Sequence, residues 1–268
     1  MNWKQTLFWS FSAAAIFYYF LLFGVFVFVG QEEMQLFIPE WWYIREFLFQ
    51  PGGFCAVAGQ WIIQYYRQPM SAVVLHTVLL VGCGFMVYRI LRCFSDKTYL
   101  LFLSLLPVLY LVKMSIHGEY LVDGTVGVVL MLLALSVSLK VRRAGSIAGY
   151  GIASTLFLCG LTGLLSVCYA FLYTLLALLR YKTSRQRLAA AACLIPALFI
   201  YLFSGWLGIP VPLSDGWMPE AYLEIQRLPH YYMYRVWTFF TLSIVGVALF
   251  ARFVPVIGEK SKWMDRVA

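Results

Sequence analysis

Long apolar runs alternate with short polar gaps along this 268-residue chain. A helix needs about 20 apolar residues to cross roughly 30 Å of hydrocarbon. Runs at residues 6–30, 70–88, 98–112, 122–139, 188–207 and 236–250 reach or approach that length, the third and last extending into flanking polar residues. Residues 146–179 form one stretch of 34 residues, about 51 Å as a single helix and too long for one crossing. A break at Gly160-Leu-Thr-Gly163 divides it into crossings at 146–160 and 164–179. The pattern predicts an all-α polytopic transmembrane bundle of eight spans, in one domain over 1–268.

The polar gaps sort by sign. Lys4; Arg89, Arg92 and Lys97; Lys140, Arg142 and Arg143; Arg180, Lys182, Arg185 and Arg187; and Arg252, Lys260, Lys262 and Arg266 fill alternate gaps. Cytoplasmic loops retain Lys and Arg, so these gaps face the cytoplasm. With eight spans, 15 of the 20 basic residues lie inside; with seven, only nine do. Eight spans with both termini cytoplasmic is therefore the expected topology. Nine of the 12 acids then lie outside, leaving +12 on the inner side and −4 on the outer. Acids contribute little to insertion, so their concentration outside calls for another account.

Composition agrees with this class. The chain is 62% apolar and 12% charged, half the charge typical of soluble domains. The net charge of +8 reads as a topology signal with attraction to anionic lipid. No soluble domain is available to bind nucleic acid. The first run is longer than a signal-peptide core and no A-x-A site follows it, so it reads as an uncleaved span. Six separate cysteines show no metal or disulfide spacing and read as packing residues.

Candidate chemistry lies in the outward loops. In loop 31–69, Phe54, Val57, Ala58, Trp61, Ile62 and Tyr65 repeat at helical spacing, opposite Gln60, Gln64, Arg67 and Gln68. A shorter helix starts at Pro39 with Trp41, Ile44 and Leu48 on one side, and Pro51-Gly52-Gly53 separates the two. Two amphipathic helices of this kind are expected to lie flat on the membrane surface, as a lid if nothing more. Glu32 and Glu33 follow the first span, as solvated charges or as a general base or metal ligand. Between spans three and four, Lys113, His117, Glu119 and Asp123 crowd eleven residues, with Glu119 and Asp123 sharing a helical face. Arg227, His230 and Arg235 form a basic rim suited to a phosphate headgroup or to interface anchoring. The Gly160–Gly163 turn carries no chemistry of its own.

His76 is the one ionisable residue well inside a span, which disfavours an ion-driven transporter. Pro107 and Pro196 can kink their helices. No Walker loop, nucleophile elbow or zinc motif occurs.

Phe47-Leu-Phe-Gln-Pro51-Gly52-Gly53-Phe, followed by Gln60-Trp-Ile-Ile-Gln-Tyr-Tyr, resembles the first outward loop of an uncharacterised multi-pass membrane family of Bacteroidetes. His117-Gly-Glu119-Tyr120 also sits between spans three and four as in that family. The resemblance covers about the first half of the chain and implies a bacterial inner-membrane location without implying an activity. Longer members add a soluble C-terminal region, leaving open a short paralogue or a separated half.

The arrangement alone resembles the membrane module of GT-C glycosyltransferases, which use polyprenyl-phosphate sugars. That resemblance implies Glu32 or Glu33 with Glu119 and Asp123 as catalytic carboxylates, a divalent cation as the candidate cofactor, and a polyprenyl-phosphate lipid as partner. His117, Arg227, His230 and Arg235 are the corresponding substrate-binding candidates. An outer-face transferase is the most specific expectation. The alternative is a non-enzymatic scaffold or complex subunit whose aromatic outer loop docks a membrane or periplasmic protein.

Overall fold

The computed structural model describes residues 3–34, 37–95, 97–117, 120–203 and 236–252. Among these residues the fold is helical, without strands. The helices are α1 (Trp3–Phe23), α2 (Val25–Met34), α3 (Trp41–Leu48), α4 (Gly53–Ile63), α5 (Pro69–Leu91), α6 (Leu100–Leu103), α7 (Leu105–Ser115), α8 (Val122–Ser138), α9 (Ala144–Thr162), α10 (Leu165–Arg180), α11 (Ser184–Ala191), α12 (Leu194–Leu202) and α13 (Val236–Arg252). A single 3-10 turn, Gln64–Arg67, joins α4 to α5.

Among the described residues four helical segments are long and apolar enough to cross a membrane: Trp3–Phe23, Pro69–Leu91, Ala144–Thr162 and Ser184–Leu202. Leu100–Ser115, Val122–Ser138, Leu165–Arg180 and Val236–Arg252 are shorter apolar helices. Together they coincide with the eight runs, and the long stretch divides at Gly163 and Leu164 as its length requires.

Three of the runs are interrupted, each with a local cause. The break between α6 and α7 falls at Ser104, beside the Leu103 carbonyl that Pro107 cannot serve. The break between α11 and α12 falls at Ala192 and Cys193, the former four residues before Pro196. Gly24 separates α1 from α2, yet the ladder continues across it, from the Gly24 N–H to the Phe20 carbonyl and from the Phe28 N–H to the Gly24 carbonyl.

α5 and α8 pack together at the centre, burying Leu80, Val87, Val128, Met131, Leu132 and Leu135. α1 lies along α5, where the Trp9 ring occupies the space left by Gly84; an added Cβ there would meet Trp9 Cζ3 at 2.9 Å. α9, α10, α11 and α12 form a second cluster against α8.

Successive connections gather at opposite ends. At one end the C-terminal part of α2, the segment before α8 and the α9–α10 turn are all tied to α4 or to one another. At the other, the Tyr181 hydroxyl donates to the Val141 carbonyl at 2.7 Å and Gln186 Nε2 donates to the Arg142 carbonyl at 2.7 Å.

Two local expectations are corrected. α3 begins at Trp41, after the cap Glu40, so Pro39 precedes the helix instead of opening it. Its half-buried side chains are Tyr43, Ile44 and Phe47 facing α4, while Trp41 and Leu48 are exposed. The second correction concerns α4, which inserts into the bundle and does not lie flat upon it. Its buried stripe is Gly53, Cys55, Gly59 and Ile63, while Phe54 and Trp61, with Tyr65 just beyond, are exposed. The aromatic face points away from the protein because lipid is as apolar as any core, and small residues are what allow helices to approach.

Candidate functional site

The junction of α4, α8 and the α9–α10 turn is built from backbone approaching backbone. Gly59 faces the start of α8 so closely that an added Cβ would lie 2.7 Å from Asp123 Cβ and 2.9 Å from both its Cα and its N. One turn deeper, an added Cβ on Gly127 would lie 3.7 Å from Cys55 Sγ and 3.0 Å from Leu165 Cδ2. The pairing Gly59 with Asp123 and Cys55 with Gly127 makes α4 antiparallel to α8. α4 therefore enters about 9 Å below Gly59, at Gly53, and climbs outward past the first turn of α8.

At the foot of α4, the Gly52 N–H donates to the Gly160 carbonyl at 3.1 Å. Gly52 (φ 85°) and Gly163 (φ 61°), the positive-φ residues among those described, meet there, an added Cβ on Gly52 lying 3.3 Å from the Gly163 N. Both take backbone conformations that a side chain would strain, and both allow close approach. The Pro51-Gly52-Gly53 turn thus caps the α9–α10 hairpin and gives its irregular backbone a protein partner.

The two acid-bearing segments are joined nearby. Gln31, 2% exposed, donates from Nε2 to the Tyr120 carbonyl at 3.0 Å. Thr125 in turn donates to the buried Tyr120 hydroxyl at 3.3 Å. Asp123 is half-buried and its Oδ1 accepts from the Gly124 N–H at 2.7 Å. That N–H also donates to the Leu121 carbonyl at 3.2 Å, and it lies at the start of α8, where a negative charge suits the helix dipole. Burial, reinforced by the Asp123 charge, pushes the Cys55 thiol up to about 12. Beneath these groups, the Tyr66 hydroxyl and His76 Nε2 share a hydrogen bond of 2.6 Å, with the Phe28 ring stacked on His76 at 4.2 Å.

Of the sequence-derived candidates, Glu32 lies half-buried on α2 beside Gln31, and Asp123 lies in the junction. His117 is exposed in the bend after α7 and supplies backbone bonds, its N–H to the Met114 carbonyl and its carbonyl to the Tyr120 N–H. Glu119, Arg227, His230 and Arg235 lie outside the described residues, as does the Glu33 side chain. Among the described residues no three His, Cys, Asp or Glu side chains are grouped as a metal site would require. Sequence reasoning did not single out Gln31 and Gly59, read Cys55 only as a packing residue and quoted Tyr120 only within the stretch shared with the family. The four-residue spacing of Cys55 and Gly59 was the available signal, since small residues so spaced mark a helix-contact face.

The molecule is thus an all-helical bundle with several helices suited to a bilayer. The chain belongs to a family of unknown function, DUF6057, whose model matches residues 1–266 and so extends well past the Pro-Gly-Gly region. No curated protein and no solved structure matches the chain.

Proposed function

We propose that this is an eight-span protein of a bacterial inner membrane with both termini cytoplasmic, and that it works as a scaffold or complex subunit. The topology is supported by the charge alternation and by the gathering of alternate connections at opposite ends. The scaffold reading rests on one observation, the contact of Gly59 with the Asp123 backbone, which leaves no room for a substrate between α4 and α8. Around this closed joint the tryptophan rings of α3 and α4 face outward, Trp41 at 66% and Trp61 at 52% exposed. Such rings suit the outer headgroup layer and would present one rigid aromatic surface there.

The test replaces Glu32, Glu119 and Asp123 together by Gln, Gln and Asn in a strain lacking the native gene. A scaffold predicts restored wild-type behaviour at unchanged protein abundance. Loss of function in D123N alone, with abundance and melting temperature preserved, would overturn the scaffold reading.

A second reading is favoured by the Gln31–Tyr120 hydrogen bond, which ties the segment carrying Glu32 to the one carrying Asp123. In that reading the outer end is a GT-C-like transferase acting on a polyprenyl-phosphate-linked sugar. A carboxylate activates the acceptor, a divalent cation assists, and Arg227 or Arg235 holds phosphate. Transfer of labelled sugar from such a donor by the purified chain, abolished in E32Q or D123N, would establish it.

A further inference from the structure

At the end opposite the α4 joint, the segment between α8 and α9 and the segment between α10 and α11 are held together by side chains. The Tyr181 hydroxyl donates to the Val141 carbonyl at 2.7 Å, and Gln186 Nε2 donates to the Arg142 carbonyl at 2.7 Å. Arg187 Nε closes its own loop on the Tyr181 carbonyl at 2.9 Å. These bonds bring Lys140, Arg142, Arg143, Arg180, Lys182, Arg185 and Arg187 into one region. The chain contains no Asp or Glu between Gly124 and Ser214 to offset them locally.

Two further observations indicate what is missing. Arg180, the last residue of α10, has its Nη1 buried with no hydrogen-bond partner among the described residues. A guanidinium donor withdrawn from water needs an acceptor, and oxygen of a phosphate matches its planar fork. α9 and α11 also both start here, after Arg143 and Thr183, without a side-chain cap and without an acid in the first turn. Their free N–H groups and positive dipole ends favour the same kind of ligand.

We infer that this end of the bundle is a binding site for the phosphate headgroup of an anionic phospholipid, with Arg180 as its deepest ligand. Arg142, Arg143 and Lys182 are exposed around it and supply the outer charges. The assignment to a lipid, and not to a soluble phosphate, follows from the position of Arg180 at the end of an apolar helix, where an embedded headgroup lies at the same level.

The test uses the full chain in nanodiscs of phosphatidylcholine containing a minor fraction of phosphatidylglycerol, with bound lipid counted by native mass spectrometry. The native chain should retain phosphatidylglycerol under conditions that strip phosphatidylcholine. R180Q should retain about tenfold less, the scale of a single charge-assisted hydrogen bond. The double variant R142Q/R143Q, changed only at exposed positions, should also lose retention and guards against misfolding of R180Q. The outer-end variant R67Q should behave as the native chain does. Nanodiscs expose both faces, so the result does not depend on the direction of insertion. Equal retention of the two lipids by the native chain, or retention unchanged in both R180Q and R142Q/R143Q, would overturn the inference. So would displacement of the phosphatidylglycerol by millimolar inorganic phosphate, which would assign the site to a soluble anion.

Discussion

The two ends of the bundle are closed by opposite means. At the α4 end, glycine backbones touch and the side chains that remain are small, so the joint is steric and complete. At the Arg180 end, long polar side chains reach carbonyls across the gap between loops, and one buried guanidinium donor has no partner among the described residues. A joint made of backbone tolerates almost no added atom but little depends on any one polar group. A joint made of long side chains tolerates substitution, because each hydrogen bond exchanges with water for a modest net gain. The difference teaches where this protein is rigid and where it is left open to a ligand.

The largest expected effect is at Gly53, where an added Cβ would fall 1.6 Å from the Phe47 carbonyl oxygen. G53A should cost about 4 kcal/mol or more and remove the folded protein from the membrane, as read by abundance and by melting in detergent. A G53A chain that melts like the native one would mean that the turn between α3 and α4 is not built as described.

Next is the chemical isolation of Cys55. With its thiol pushed up to about 12, the thiolate at pH 8 amounts to roughly one part in ten thousand. Exposed Cys93 should therefore react with maleimide about a thousandfold faster than Cys55. The sign is set by burial favouring the neutral form, so labelling of Cys55 should keep climbing between pH 9 and 11, where an ordinary thiol has levelled off. Equal labelling of the two would show the α4 joint to be open.

G59A brings a methyl to within 2.9 Å of the Asp123 backbone and should cost about 2–3 kcal/mol in detergent melts. The smallest effect belongs to the other end. Y181F removes one hydrogen bond to Val141 and should cost only about 1 kcal/mol. If Y181F proves as damaging as G59A, the contrast between the two ends fails.

Much of this contrast was hidden in the sequence, for identifiable reasons. The apolar runs were legible because a bilayer imposes a length on them, and the breaks at Ser104 and Ala192 followed from Pro107 and Pro196. The aromatic side of α4 was legible from its periodicity. The small residues on its other side, which meet α8, were not, because periodicity reports that large apolar residues share a side and not what packs against the opposite one. Asp123 was legible as an acid near a span end. Its close approach to Gly59, 64 positions earlier, was not, since nothing local in either segment records it. The partner of the Pro51-Gly52-Gly53 turn was equally invisible, because Gly160 and Gly163 looked like a sufficient turn by themselves.

By itself, then, the sequence determined the helical class, the position of the apolar segments and the likeness to an uncharacterised family, all of which follow from length and local pattern. Only the tertiary structure decided that the first polar segment re-enters the bundle, that glycines join α4 to α8 and to the α9–α10 turn, and that a basic cluster gathers around Arg180. Those are contacts between residues distant in the chain. Their energy depends on close approach in three dimensions, and no local pattern of residues encodes it.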